Sequence, residues 1–274
     1  MRRLSFLLIL CLAALAPAAR AADLPIFDAH MHYSEGAWSA YSPAEVLEMM
    51  DAAGVSGALV SSTPDDGTLK LLDRAPRRLV GGFRPYRESA DMGSWFADPD
   101  LYAYSEQRLA RGRHRVFGEV HLSRAEDVAT PGMRRVLGLV AGRRLYFHVH
   151  SDARVVEALL AAAPGLKVLW AHAGLSESAA AVGRVLDRHP NVWAELSYRA
   201  HDLIPGGAIE PQWRDLLIRH AERFLIGTDT WEVDRWRSYG HLIGAHRAWL
   251  GKLPGDVARK IAHENAERLF QPGP

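Results

Sequence analysis

Cysteine is all but missing: Cys11 is the only one in 274 residues. It falls in an apolar N-terminal stretch, so a chain that loses this stretch has no disulfide and must be held by its core alone. Long hydrophobic runs are absent too. The longest, Leu4 to Leu15, is too short to cross a bilayer comfortably. With Arg2 and Arg3 before it and Ala19-Arg20-Ala21 after it, the run reads as an export signal over residues 1–21. The expected product is a single domain, 22–274, located in the periplasm or secreted. Cys11 lacks the small residue that usually precedes a lipidated cysteine, so no lipid anchor is expected. Charge of one sign is lacking as well. Without Arg2, Arg3 and Arg20, 30 basic residues stand against 32 acidic ones, a balance that points to neither nucleic acid nor a membrane surface. Lysine is scarce, only Lys70, Lys167, Lys252 and Lys260 among 33 basic residues. That skew is read as a coding bias. Linkers, low-complexity segments and repeats are not found.

What is present is an alternation of short apolar strands with longer amphipathic stretches. Strands are expected at Pro25–His30, Val55–Ser61, Leu79–Arg84, Val116–His121, Leu145–His150, Lys167–His172, Val192–Ser197 and Arg223–Asp229. Helices are expected at Ala44–Ala53, Pro131–Ala141, Ala153–Ala163, Glu177–His189, Pro211–His220 and Arg235–Leu250. Ser42-Pro43 with Glu45, and Ser151-Asp152, supply start signals for two of them. Strand ends recur about every 29 residues, and eight strand–helix units need roughly 250. Nearly continuous apolar strands suit a parallel sheet covered by helices. The expected fold is α/β, a (β/α)8 TIM barrel, with an extra C-terminal helix from Pro254 to Phe270. A doubly wound open sheet is the rival.

Six metal-ligand side chains decide between them. His30 and His32 in IFDAHMH, Glu119 in VFGEVH, His150 in YFHVHS, His172 in VLWAHAG and Asp229 in FLIGTD each follow a strand-like run. Ligands so far apart in sequence can meet only if strand ends gather in one place, as in a closed barrel. Alternate residues of a strand share a face, so His30 and His32 both point into the mouth, with Asp28 a layer below. His148 shares a face with His150 and is expected to pack beneath it, although the two are interchangeable as ligands. His121 likewise shares a face with Glu119. Taken singly, His172 reads equally as a core histidine and Asp229 as a helix cap.

These residues resemble the amidohydrolase superfamily of metal-dependent hydrolases. The similarity is nearest to the amidohydrolase-related branch, which includes TatD-like nucleases, lactonases and decarboxylases like that for aminocarboxymuconate semialdehyde. The segments VLWAHAG, LIGTDT and IAHENAERLF are similar to segments at the same places in that branch. In many members a carboxylated lysine on strand four bridges two metals. No lysine here ends a strand, and Glu119 stands where the bridge would be, as in TatD-like members. The resemblance implies a divalent cofactor, Zn2+ first, at His30, His32, Glu119, His150, His172 and Asp229. Two ions are favoured over a mononuclear centre of His30, His32, His150 and Asp229.

The implied chemistry is attack of activated water on a carbonyl. Asp229 would move the proton, and His172 or His121 would stabilise the oxyanion. Arg84 and Arg199, each after a strand, are candidates for a substrate carboxylate or phosphate. Tyr33 and Trp231 are candidates to wall the pocket. The leading expectation is an exported hydrolase of an amide, lactone or ester in a small molecule. A mononuclear decarboxylase of the same superfamily, a non-catalytic periplasmic binding protein and a TatD-like nuclease are the alternatives. The expected partner is a small-molecule substrate, with no nucleic acid, no membrane after signal cleavage, and a homodimer as a candidate assembly.

Overall fold

The computed structural model describes residues 24–270. The expected export signal therefore lies outside the described residues. Eight strands follow one another in parallel around the sheet: β1 Ile26–Met31, β2 Val55–Ser62, β3 Leu79–Phe83, β4 His114–His121, β5 Tyr146–His150, β6 Lys167–Trp170, β7 Val192–Glu195 and β8 Phe224–Leu225. A parallel bridge between Asp28 and Ile226 brings β8 back to β1 and closes the cylinder. The fold is the expected (β/α)8 barrel.

Two-residue alternation divides each strand between two cores. One set, including Val60, Phe83, Phe117, Phe147 and Val168, packs against the surrounding helices. The other set, Phe27, Leu59, Val116, Leu169 and Leu225, fills the lower part of the cylinder, with Tyr146 and Trp193 packed on it. The C-terminal helix plugs that end: Ala266 and Phe270 join the inner cluster, and Phe270 stacks on Phe27 with ring centroids 5.8 Å apart. Further along the same strands the inward positions turn polar: Ser61 after Leu59, His148 and His150 after Tyr146, Glu195 after Trp193. An apolar floor thus carries a polar mouth.

The helices start where local chemistry provides a cap. Ser42 and Glu45 form a reciprocal capping box on Pro43–Ala52, and Asp152 accepts from Val155 N at the start of Ala153–Ala162. Helix Asp66–Arg74 and helix Pro99–Leu109, not among the expected segments, follow β2 and β3. The expected Arg235–Leu250 helix is interrupted at Ser238 into Val233–Arg237 and Tyr239–Leu250. The closing helix runs from Gly255 to Phe270 as expected, with a wider π turn over Lys260–Glu264.

β8 is the largest departure: two residues instead of Arg223–Asp229. Beyond Leu225 the chain bonds irregularly to β1, through Ala29 N to Ile226 O at 2.7 Å and Asp229 N to His30 O at 2.6 Å. Thr228 turns both its N–H and its hydroxyl to the Asp28 carboxylate, at 3.0 and 2.6 Å. Asp28 therefore does not lie beneath His30 in the site. A register shift after Asp28 turns its carboxylate to Thr228 and to the Tyr239 hydroxyl at 3.0 Å.

Candidate metal centre and active site

Four side chains converge at the mouth. His30 Nε2 and His32 Nε2 are 3.1 Å apart. Glu119 Oε2 lies 3.4 Å from the first and 3.3 Å from the second, and Asp229 Oδ1 lies 3.6 and 3.0 Å from them. What each imidazole does with its other nitrogen fixes the meaning of this cluster. His32 Nδ1 meets the carbonyl oxygen of Ser61, which can only accept, so it must carry the proton. His30 Nδ1 donates to Glu195 Oε2 at 2.8 Å. In the neutral rings both Nε2 atoms are then bare lone pairs facing one another, beside two carboxylate oxygens. Asp229 Oδ1 is buried and has no hydrogen-bond partner.

Lone pairs packed this way repel unless a cation lies between them. The fit to an ion is good. Ligands about 2.0–2.1 Å from a tetrahedral ion lie about 3.3–3.4 Å from each other, and the five contacts here span 3.0 to 3.6 Å. The electrostatics agree. Burial opposes a charge on His30, yet Asp229, Glu119 and Glu195 raise its pKa well above the ordinary imidazole value. Burial works against ionised Glu119 and Asp229, yet the surrounding histidines hold both below the ordinary carboxylate range.

Glu119 has a second face. Its Oε1 is 3.3 Å from His150 Nδ1 and 3.4 Å from His172 Nε2. His172 Nδ1 is held by the Ser197 hydroxyl at 2.7 Å, which directs Nε2 inward. Four of the expected ligands, His30, His32, His150 and His172, therefore gather around Glu119, and Asp229 joins them through His30 and His32. His150 sits at the mouth and His148 is buried below it, its ring 4.5 Å from that of His30 and both its nitrogens without a partner.

Local backbone makes this convergence fit. Gly118, at φ +119°, lies so close to the His148 carbonyl that a Cβ would collide with it. His172 and Asp229 sit at φ 55° and 49°, a region ordinary residues seldom occupy except at functional turns.

The sequence reading missed Glu195 and Ser197. Glu195 accepts from His30 Nδ1, from the Ser197 hydroxyl at 2.9 Å and from the backbone N–H groups of Ser197 and His172. Burial pushes its carboxyl up, but His30 and its other partners bring the pKa down to about 2. Their signal was the inward alternation Trp193, Glu195, Ser197 at the end of the seventh strand.

Of the expected substrate contacts, Arg84 and His121 line the mouth. Arg84 Nε donates to the Glu119 carbonyl at 3.1 Å. His121 stacks on His150 with centroids 4.5 Å apart, and burial lowers its pKa to about 4 despite Glu119 nearby. Arg199 is a correction. Its guanidinium is buried away from the mouth, bonded to the carbonyls of Leu175 and Glu177 and to Asp202, where it holds the loop after β6. Trp231 lines the cavity, whereas Tyr33 is buried beneath and donates to the Tyr41 carbonyl. The cavity holds about 910 Å3, room for a small molecule.

The amidohydrolase family model matches residues 16–271. The chain belongs to the amidohydrolase family. It is thus a hydrolase-family enzyme, and its buried histidine–carboxylate cluster matches the metal dependence of that family. No curated protein sequence matches it. Among solved structures it is similar to a Pseudomonas putida protein assigned as a 2-pyrone-4,6-dicarboxylic acid hydrolase, at 19% identity and TM-score 0.63, covering 90% of this chain and 97% of that one. An Acinetobacter baumannii protein of the same assignment, with citric acid bound, gives 15% and 0.64 over 90% and 99%. A zinc-bound Burkholderia multivorans amidohydrolase gives 18% and 0.59 over 91% and 100%. At these identities the likeness concerns the fold.

Proposed function

We propose that this amidohydrolase is an exported enzyme that hydrolyses an amide, lactone or ester bond of a small molecule with a divalent cation, Zn2+ first, at a two-ion centre. The observation that carries the metal is the meeting of His30 Nε2, His32 Nε2, Glu119 Oε2 and Asp229 Oδ1, all within 4.8 Å of one another. The two faces of Glu119 support two ions, one with His30, His32 and Asp229, the other with His150 and His172. Export rests on the charged, apolar and small-residue order of residues 1–21. The zinc, the citrate and the lactone-type names of the similar structures are consistent with this reading.

A divalent cation supplies Lewis acidity, making water acidic enough to attack near neutral pH and polarising the carbonyl under attack. The chain's own groups do the rest. Asp229 stays ionised at neutral pH, with Oδ1 in the ligand cluster and Oδ2 3.8 Å from His172 Nε2. It accepts the proton of the attacking water and returns it to the leaving group. His121, stacked on His150 in the cavity lining, faces the carbonyl oxygen as charge develops, while Ser197 on His172 Nδ1 leaves the Nε2 lone pair for the ion. Arg84 presents its guanidinium to an anionic end of the substrate.

The test is a screen of chelator-stripped and Zn2+- or Mn2+-reloaded protein against amides, lactones, esters and carboxylated aromatics. Hydrolysis lost on stripping and regained on reloading is expected. Carbon dioxide release without hydrolysis would assign a decarboxylase, and no turnover on any class would overturn the proposal.

A further inference from the structure

Three large apolar side chains are well exposed among the described residues: Leu175 at 44%, Tyr198 at 42% and Trp231 at 53%. Scattered singly, such residues are ordinary. Here all three line the cavity over the histidine–carboxylate cluster. They follow β6, β7 and β8, so they form one continuous arc of the rim. The arc across the mouth, from the segment after β3, carries the charges of Arg84, Arg87 and Glu88 beside Ser89, Ala90 and Met92.

The apolar arc is held in place. Trp231 Nε1 donates to the Tyr198 hydroxyl at 2.8 Å. The Tyr198 ring meets His172 edge-on, centroids 5.4 Å apart, and the Arg235 guanidinium lies 4.1 Å from it. Arg235 is itself anchored on the carbonyls of Thr228 and Asp229. Leu175 and Tyr198 sit at φ 57° and 63°. Non-glycine residues keep this conformation where surroundings enforce it, as at ligand clamps. The charged arc offers a complementary group. Arg84 spends Nε on the Glu119 carbonyl and brings Nη2 to 3.6 Å from Glu119 Oε2, while its Nη1 has no partner among the described residues.

We infer that the substrate carries a planar apolar group, aryl in size, that seats on the Leu175–Tyr198–Trp231 arc while an anionic end faces Arg84 across the mouth. This deepens the hydrolase reading of the same site and rests on it. A wholly polar substrate would leave three half-exposed apolar side chains in water at the one place where the chain has fixed them. An aryl group would remove apolar surface from water on both partners and stack on the indole.

Calorimetric titration of the purified protein with 3-phenylpropionate and with propionate, with and without Zn2+, tests this. Both acids present the same carboxylate and differ by the phenyl ring. The phenyl acid is expected to bind at least about tenfold more tightly. Trp231→Ala should bring the two within about twofold, while Trp231→Phe keeps the preference and controls for folding. Equal affinity in the wild type, no binding by either acid, or a preference that survives Trp231→Ala overturns the inference. So does a concentration-dependent rise in mass without phenyl preference, which would give the arc to a second copy of this chain. Binding needs no turnover, so this result and the hydrolase reading can fail independently.

Discussion

Replacing Glu195 by glutamine removes one charge and leaves shape almost intact. The carboxylate takes His30 Nδ1–H at 2.8 Å, the Ser197 hydroxyl at 2.9 Å and two backbone N–H groups. A glutamine offers a single oxygen, so one of these donors would face an amide N–H instead. The charge-assisted bond that fixes the tautomer and angle of His30 is lost or weakened, at a cost of about 1.5–3 kcal/mol. Read as metal affinity, this is about a 10- to 100-fold loss, in the range seen when the carboxylate behind a ligating histidine is removed. Competition with a chromogenic zinc chelator measures it, alongside thermal melts of the metal-free protein to separate a positioning role from a structural one. The pH dependence has a definite sign. Glu195 is depressed from 4.5 to about 2 in the folded state, so its contribution is present above about pH 4.5 and fades as pH falls toward 2. Unchanged zinc affinity in Glu195→Gln, or a loss matched by unfolding, would refute the reasoning.

Asp229→Asn should keep bound metal but lower kcat by at least about a hundredfold, the low end for acid–base help; near-normal turnover would remove Asp229 from that role. Glu119→Ala should reduce bound zinc by one equivalent by elemental analysis, and unchanged stoichiometry would return the centre to a mononuclear one. Gly227→Ala should mimic Glu195→Gln in the chelator assay, because its Cβ would collide with the Glu195 carboxylate; full affinity would show that the acid can shift freely. Far from the site, Asp65 is buried between Arg108, His114 and the Tyr104 hydroxyl. Burial opposes its charge, yet His114 and Arg108 hold its pKa below the ordinary value. Asp65→Asn should therefore cost about 3 kcal/mol in urea unfolding at pH 7. The difference should shrink below about pH 4, where the unfolded carboxyl protonates; a constant difference would exclude an ionic origin.

The barrel and the meeting of these histidines and carboxylates at its mouth were legible because both are written in local pattern. Apolar strands recur at the spacing of one strand–helix unit, and each metal-ligand residue closes one of them. Backbone demand is not written that way. Arg199 reads as a mouth residue because it follows a strand end, yet Leu175 and Glu177 have carbonyls left unpaired by the irregular turn after β6, and Arg199 meets them. Which carbonyls go unpaired depends on the left-handed residues His172, Ala173 and Leu175, a conformation the residue types do not announce. The last residues of β8 were misread for a similar reason. Thr228 is a good strand former, but the buried Asp28 carboxylate draws its N–H away from the ladder.

Glu195 was missed for a deeper reason, and it explains how the site is built. It stands on β7, whereas the histidine it holds is on β1, with β8 between them. Two strands separated by a third are not adjacent, and a side chain at the intervening inward position would block the path. That position is Gly227, where a Cβ would meet both the Glu195 carboxylate and His30 Cβ. The glycine is therefore the gap through which an acid on one strand reaches a ligand two strands away. In LIGTD the glycine looks like punctuation before a turn. In the closed cylinder it leaves room for the charge that keeps the His30 proton on Nδ1 and its lone pair facing the centre.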